Sequence, residues 1–282
     1  MKSPAEPSNK SEQRDETVDI APHAMKCIVI NLPRAEARRE AMRKQFDALG
    51  IEFEIFDATD WRDLNEEDWA LVDRKSRDRE GRRPLSDGMV ACHLSHRKAL
   101  ADVAAGEDEL VAVFEDDVTL APEFGGALEA LARLHASGWG FDFVFLHRHN
   151  TDKPFVPLKR VDAGVRLGIT KFSDWGTQSY VVSKKGANRL LERFPKIINR
   201  TDHTLHAYWE SGLNVFSLET PVVFDGNEAG EHSFLQEAAD SRPGRNFWKL
   251  GQRAFSNLRE EALKRVYFSR KVRSAENGGD SA

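Results

Sequence analysis

The chain has 282 residues, 40% of them hydrophobic, enough to bury a full core as one large or two small domains. Its net charge of −5, from 41 Lys and Arg against 46 Asp and Glu, argues against a general nucleic-acid binder. No apolar run approaches the roughly 18 residues that a spanning helix needs, and the polar opening MKSPAEPSNKSEQRDETVDIAPHA holds no apolar signal core. Two cysteines, Cys27 and Cys92, are too few for a disulfide framework. The expectation is a cytoplasmic protein.

Residues 1–24, rich in charge, Pro and Ser, read as a disordered tail. KCIVINL (26–32) is a continuous apolar run of the kind found in a buried parallel strand. A helix follows in PRAEARREAMRKQFDALG, with Pro33 near its start and Gly50 as its stop, and IEFEIFDAT (51–59) reads as a second strand. Strand, helix, strand predicts a parallel α/β sheet. The basic, non-periodic DRKSRDREGRRPLSD (73–87) reads as a loop. Next come a helix at 88–106, a strand LVAVFED (110–116), a helix in APEFGGALEALARLHASG and a strand FDFVFLH (141–147). SYVVS (179–183) is strand-like, 184–194 and 202–212 are helical, the latter opened by Asp202 as N-cap, and LNVFSLE (213–219) is the last strand. From Ser241 to Arg273, ten Lys and Arg face two Glu, with Phe247, Trp248, Phe255, Leu258 and Val266 interleaved at helical spacing. Such a basic amphipathic helix suits an anionic membrane surface, or docks on the core with its charges in solvent.

The chemistry concentrates at VFEDDV (113–118), where a buried strand ends in Glu115, Asp116 and Asp117. Open α/β sheets bind ligands beyond the carboxyl ends of their strands. Two carboxylates about 5 Å apart at an effective dielectric near 20 repel by roughly 3 kcal/mol, so three together call for a cation or arginines. Hard oxygens suit Mg²⁺ or Mn²⁺ held jointly with substrate phosphates. A solvated acidic turn is the alternative. Strand alternation places Glu115 and Asp117 on one side and Asp116 on the other, where it serves the following turn. Asn31 and Arg34 stand just past the first strand; Arg34, Arg38 and Arg39 can be read as a solvated helix face, the reading favoured for Arg39. His93 and His96 are three apart on a helix, but no thiol or acid completes a zinc set at the usual spacing.

Five stretches, in order, resemble family 25 of the glycosyltransferases: VINLPRAEARR (29–39), LSDGMVACHLSHRKAL (85–100), VFEDDV (113–118), GTQSYVVSKKGANRLL (176–191) and RTDHTL (200–205). Ala91 departs from the glycine the family usually has before Cys92. The resemblance implies an α/β fold of the GT-A type: one Rossmann-like catalytic domain over 25–240, between a flexible tail at 1–24 and a basic C-terminal segment at 241–282. It implies an inverting hexosyl transfer from a UDP-sugar, galactose or glucose, with Mn²⁺ or Mg²⁺ as cofactor. The acceptor would be a lipopolysaccharide, lipooligosaccharide or other surface glycan at the inner face of the cytoplasmic membrane. It makes Glu115 and Asp117 metal ligands, with Glu115 also reaching the donor, and His232 a late addition to the metal shell. Asn31, Arg34, Ser95 and His96 line the donor site, and Asp202 becomes the general base, with Asp174 as runner-up. Trp175 could stack on a sugar ring. The basic segment 74–83 would cover a diphosphate or receive an anionic acceptor. A metal-dependent phosphohydrolase or nucleotidyltransferase, and a non-catalytic sugar-nucleotide binder, are the competing readings.

Overall fold

The computed structural model describes residues 25–149, 151–152, 154–162, 164–170, 176–226 and 247–276. β1 (Lys26–Asn31) is flanked in parallel by β2 (Glu54–Asp57) and β3 (Leu110–Glu115). Alternation along these strands divides the core in two. Cys27, Val29, Ala112 and Phe114 face α1 (Glu36–Leu49) and α5 (Phe124–Ala136), whose Met42, Phe46, Leu128 and Leu131 pack against them. Ile28, Ile30, Val111 and Val113 face the opposite layer, where α4 (Asp87–Ala105) and α6 (Lys184–Arg193) supply Ala99, Leu100, Val103 and Leu190. Both faces of the sheet are covered by helices, which is why the strands read as unbroken apolar runs. At α1, Gly50 adopts a left-handed φ of 65° and its N–H caps the last turn, so the helix stops where the sequence marks it.

The sheet has the order β2-β1-β3-β8-β5-β9-β7-β6. The opening strand–helix–strand unit is parallel, as expected, and antiparallel strands added farther along make the whole sheet mixed. β8 (Ser179–Ser183) runs antiparallel between β3 and β5 (Phe143–Phe145), β9 (Val215–Leu218) is parallel to β5, and β7 (Arg166–Thr170) and β6 (Phe155–Arg160) close the far edge antiparallel. The reversed β8 carries the residues before it, Thr177 and Gln178, back to the carboxyl ends of β1 and β3. A two-stranded ribbon of β4 (Val118–Leu120) and β10 (Val223–Asp225) begins directly after the acidic residues.

Several local expectations are corrected. Residues 74–79 are a helix, α3 (Arg74–Arg79), because the Asp73 carboxylate accepts from the Ser76 N–H at 2.9 Å and caps it. After α2 (Glu66–Ala70), this gives the basic segment a fixed shape. The expected helix at 202–212 is two pieces, α7 (Thr201–Leu205) and α8 (Tyr208–Ser211). The break falls at His206, whose ring lies flat on Phe145 with centroids 3.9 Å apart. Asp202 is therefore not the cap: Arg200 holds that position, and Asp202 is the second helical residue. β6 and β7 escape the alternation rule because the register shifts between Pro157 and Lys159.

The C-terminal segment forms α9 (Phe247–Glu276). One face docks: Phe268 and Val272 pack on the core, Tyr267 Oη donates to the Leu213 carbonyl at 3.0 Å, and Lys264 Nζ pairs with Glu260 at 2.7 Å above the Trp209 ring. The outward face carries Phe255, Leu258 and Val266 exposed, beside Arg259, Arg265 and Arg270. No helix among the described residues is long and apolar enough to cross a membrane.

Candidate active site at the carboxyl edge of the sheet

β3 ends at Glu115, Asp116 and Asp117 form the turn, and β4 departs at Val118. Glu115 and Asp116 turn apart, as strand alternation requires. Glu115 turns toward α4, where its Oε1 lies 3.1 Å from His96 Nε2 and accepts from the Thr177 hydroxyl. His96 Nδ1 lies 3.0 Å from the Tyr180 hydroxyl, so the ring is held between Tyr180 and Glu115. Asp116 turns toward α1: Asn31 Nδ2 donates to it at 2.6 Å and the Arg38 guanidinium at 3.1 Å. Arg38 also stands 3.6 Å from Asp117.

These surroundings set the acids apart. Burial alone would raise Glu115, but the His96 and Thr177 bonds overcome it and hold the carboxyl below its usual range. Asp116 is raised by burial, with Arg38 and Asn31 pulling the other way. Asp117 is pushed up to about 7 by burial and by the neighbouring Glu115 and Asp116 charges, which Arg38 only partly offsets. On the far side of the turn, Asp225 adds to that field, itself bonded by Gln178 at 3.0 Å and paired with His149 at 3.2 Å. Gly226 is tight against the turn: its N–H donates to the Asp117 carbonyl at 2.8 Å, and an added Cβ would stand 2.8 Å from that oxygen.

Beside the acids opens a pocket of about 110 Å³, whose walls include Thr59, Trp61, Cys92, Ser95 and His96. Trp61 belongs to a 3-10 turn, Trp61–Asp63, capped by Asp60. Its indole Nε1 is buried and, among the described residues, has no hydrogen-bond partner. Ser95 Oγ donates to the Ala91 carbonyl at 2.8 Å and accepts from Thr59 N–H at 2.9 Å, fixing the segment after β2 against α4. Arg34 pairs with Asp60 at 2.7 Å and steadies the same segment from the turn before α1.

The residues singled out from sequence thus fall into groups. Glu115, Asp117, Ser95 and His96 meet at one pocket, whereas Asn31 and Arg34 brace its frame. Arg39 is no solvated face; it donates to Asn31 Oδ1 at 3.0 Å and so holds the amide that holds Asp116. Asp202 does not line the pocket, but its charge and those of Glu115 and Asp117 all act on the Cys92 thiol, which also touches Thr201 Oγ1 at 3.5 Å. The Asp202 oxygens accept from His203 N–H at 2.7 Å and from Arg200 at 2.8 Å. Asp174, Trp175 and His232 lie outside the described residues. Sequence reasoning allowed Arg38 to be a solvated helix face, where the structure buries it on Asp116, and missed Trp61 and Asp225. Arg38 had a signal, since it is spaced to share one face of α1 with the buried Met42.

Two donor sets could hold a cation. Cys92, His96 and Glu115 offer atoms within 4.8 Å of one another. Yet burial pushes the Cys92 thiol up to about 12, and a neutral thiol is a poor ligand. The carboxylates of Glu115 and Asp117 offer only oxygens, the donor type a hard divalent ion prefers. His93, three residues from His96, sits apart with Nδ1 3.1 Å from the Asn199 carbonyl, and burial holds it down at about 3, uncharged.

The sequence model described as "Glycosyltransferase family 25 (LPS biosynthesis protein)" matches residues 24–205. A glycosyltransferase 25 family member of Aedes aegypti is 30% identical over 79% of this chain and 39% of its own. Procollagen galactosyltransferase 1-B of Xenopus laevis is 27% identical over 76% of this chain and 38% of its own. A probable inactive glycosyltransferase 25 family member 3 of Bos taurus is 28% identical over 76% and 39%. The chain spans about two fifths of the length of these curated relatives. Over that span, which contains β1, the α4 block and the acidic turn, it belongs to glycosyltransferase family 25.

Proposed function

We propose that the chain is a metal-dependent hexosyltransferase that inverts the anomeric carbon of a UDP-sugar. The observation that carries this reading is the acidic turn, where Asp117 is pushed up to about 7 beside a Glu115 that His96 and Thr177 keep ionised, in a member of a glycosyltransferase family. A Mn²⁺ or Mg²⁺ ion bound by Glu115 and Asp117 would neutralise the departing diphosphate. The rest falls to the chain's own side chains. Trp61 offers its ring to the nucleoside, Ser95 holds that wall in place, and Arg38 fixes Asp116 in the wall of the same pocket. The acceptor oxygen forms its bond to the anomeric carbon as the bond to UDP breaks, and its proton passes to the Asp202 carboxylate. Galactose is the favoured sugar, since it is the one in the relatives' names. A lipopolysaccharide-type glycan is the favoured acceptor, after the description of the matching family.

A non-catalytic binder is the second reading, favoured by the probable inactive relative. Turnover of UDP-galactose and UDP-glucose with Mn²⁺ and a panel of glycan acceptors separates the two. Asp202→Asn should lose about a hundredfold or more in rate, the scale of a missing general base, and keep its UDP affinity. Near-normal turnover by the variant would move the base elsewhere; none by wild type on any acceptor would favour the binder.

A further inference from the structure

A second cavity, of about 500 Å³, lies between the segment Arg77–Pro84, the connection into α7 and the first half of α9. Five arginines face it, Arg77, Arg82, Arg83, Arg200 and Arg253, against two acids, Glu80 and Glu260. Both acids are engaged. Glu80 pairs with Arg82 at 2.6 Å, and Glu260 lies 3.1 Å from His203 and 2.7 Å from Lys264. Among the described residues, neither Arg83 nor Arg253 has a carboxylate within ion-pair distance. Three of the arginines are held by bonds: Arg82 also stands 3.6 Å from Glu260, and Arg200 donates to Asp202. Arg77 is buried, donates to the carbonyls of Arg83 and Ile198, and is pushed down to about 10 by burial and then by the Arg82 and Arg200 charges. Like charges held this close, with too few acids between them, make a receptor for an anion.

Size and neighbours narrow the ligand. The cavity exceeds what a lone phosphate fills and falls in the range of small-molecule sites, and Asn199, Ser256 and Asn257 add groups that match sugar hydroxyls. Arg200 donates at 2.8 Å to Asp202, so one wall of the cavity touches the residue assigned as base. We propose that this cavity is the acceptor subsite and that it takes an anionic saccharide, one bearing phosphate or carboxylate. The assignment as acceptor rests on the transferase reading. The donor's diphosphate shares the same chemistry, so the test must separate the two sources.

The probes are galactose 6-phosphate and galactose, titrated by NMR into wild type and into the Arg83→Glu/Arg253→Glu double variant, with UDP plus Mn²⁺ titrated in parallel. Both arginines are exposed, and an unchanged circular dichroism spectrum confirms the fold. The sugar phosphate should bind, weaken with salt, and lose about tenfold or more in affinity in the variant, as charge-assisted contacts to phosphate would. Galactose should bind far more weakly, and UDP affinity should stay as in wild type. Equal binding of sugar phosphate by both proteins, or equal binding of galactose and its phosphate, would overturn the proposal. A parallel loss of UDP binding would assign the cavity to the donor diphosphate instead. Sugar-phosphate binding as expected, in a wild type that ignores UDP, would remove the acceptor role and leave an anion site without a transferase.

Discussion

At Asp117 the local field is unfavourable by construction: burial, Glu115, Asp116 and Asp225 all oppose its charge, and Arg38 at 3.6 Å offsets only part of it. A residue that lowers stability where it stands is kept for what it binds. In metal-free buffer with chelator at pH 8, Asp117→Asn should therefore stabilise the protein, by about 1–2 kcal/mol on the scale of partly screened carboxylate repulsion. Thermal melting would measure it, and a lower melting temperature would mean that Asp117 is held by bonds rather than by a missing cation. The sequence showed the crowding of acids here and, through alternation, the split between Glu115 and Asp116. It did not show which cation answers which acid. Arg38 and Asn31 reach Asp116 across 78 and 85 residues of chain, and no spacing rule connects such positions. Trp61 was missed because a single tryptophan in a short turn carries no pattern.

Among the elements, α9 was legible as an amphipathic helix from its spacing, but not which half of it would dock. Its inner face attaches through Tyr267, Lys271 and the cluster of Glu260, His203 and Lys264. Burial alone would raise the Glu260 carboxyl, yet the His203 and Lys264 bonds hold it down at about 2, below its ordinary 4.5. A carboxyl lowered in the folded state adds stability that is complete above about pH 4.5 and is lost as pH falls toward 2. Melting temperature should fall across that window, and Glu260→Gln should flatten the fall. At pH 7 the same variant should cost about 1–2 kcal/mol, or roughly 2–4 °C. A pH profile identical to that of wild type would show that the cluster does not anchor the helix. Strands β1 and β3 were readable because both faces are buried, giving apolar runs. The capping of α3 by Asp73 and the reversal of β8 were not, since one depends on a single side chain and the other on long-range pairing.

At the scale of the molecule, the sheet brings the ends of β1, β2 and β3 and the start of β8 to one edge, and everything assigned to the donor lies there. The arginine-lined cavity opens between α3 and α9, and its Arg200 holds Asp202. Composition and order of motifs conveyed the α/β class and the family. They could not convey this geometry, because α3, α7 and α9 meet only in three dimensions. The central claim is that a divalent cation and a nucleoside diphosphate share the tip of β3. Isothermal titration of UDP into wild type and Asp117→Asn, each with and without Mn²⁺, tests it most directly. The account predicts binding by wild type that requires Mn²⁺ and falls about tenfold or more in the variant. UDP binding of equal strength in both proteins, with or without metal, would contradict it.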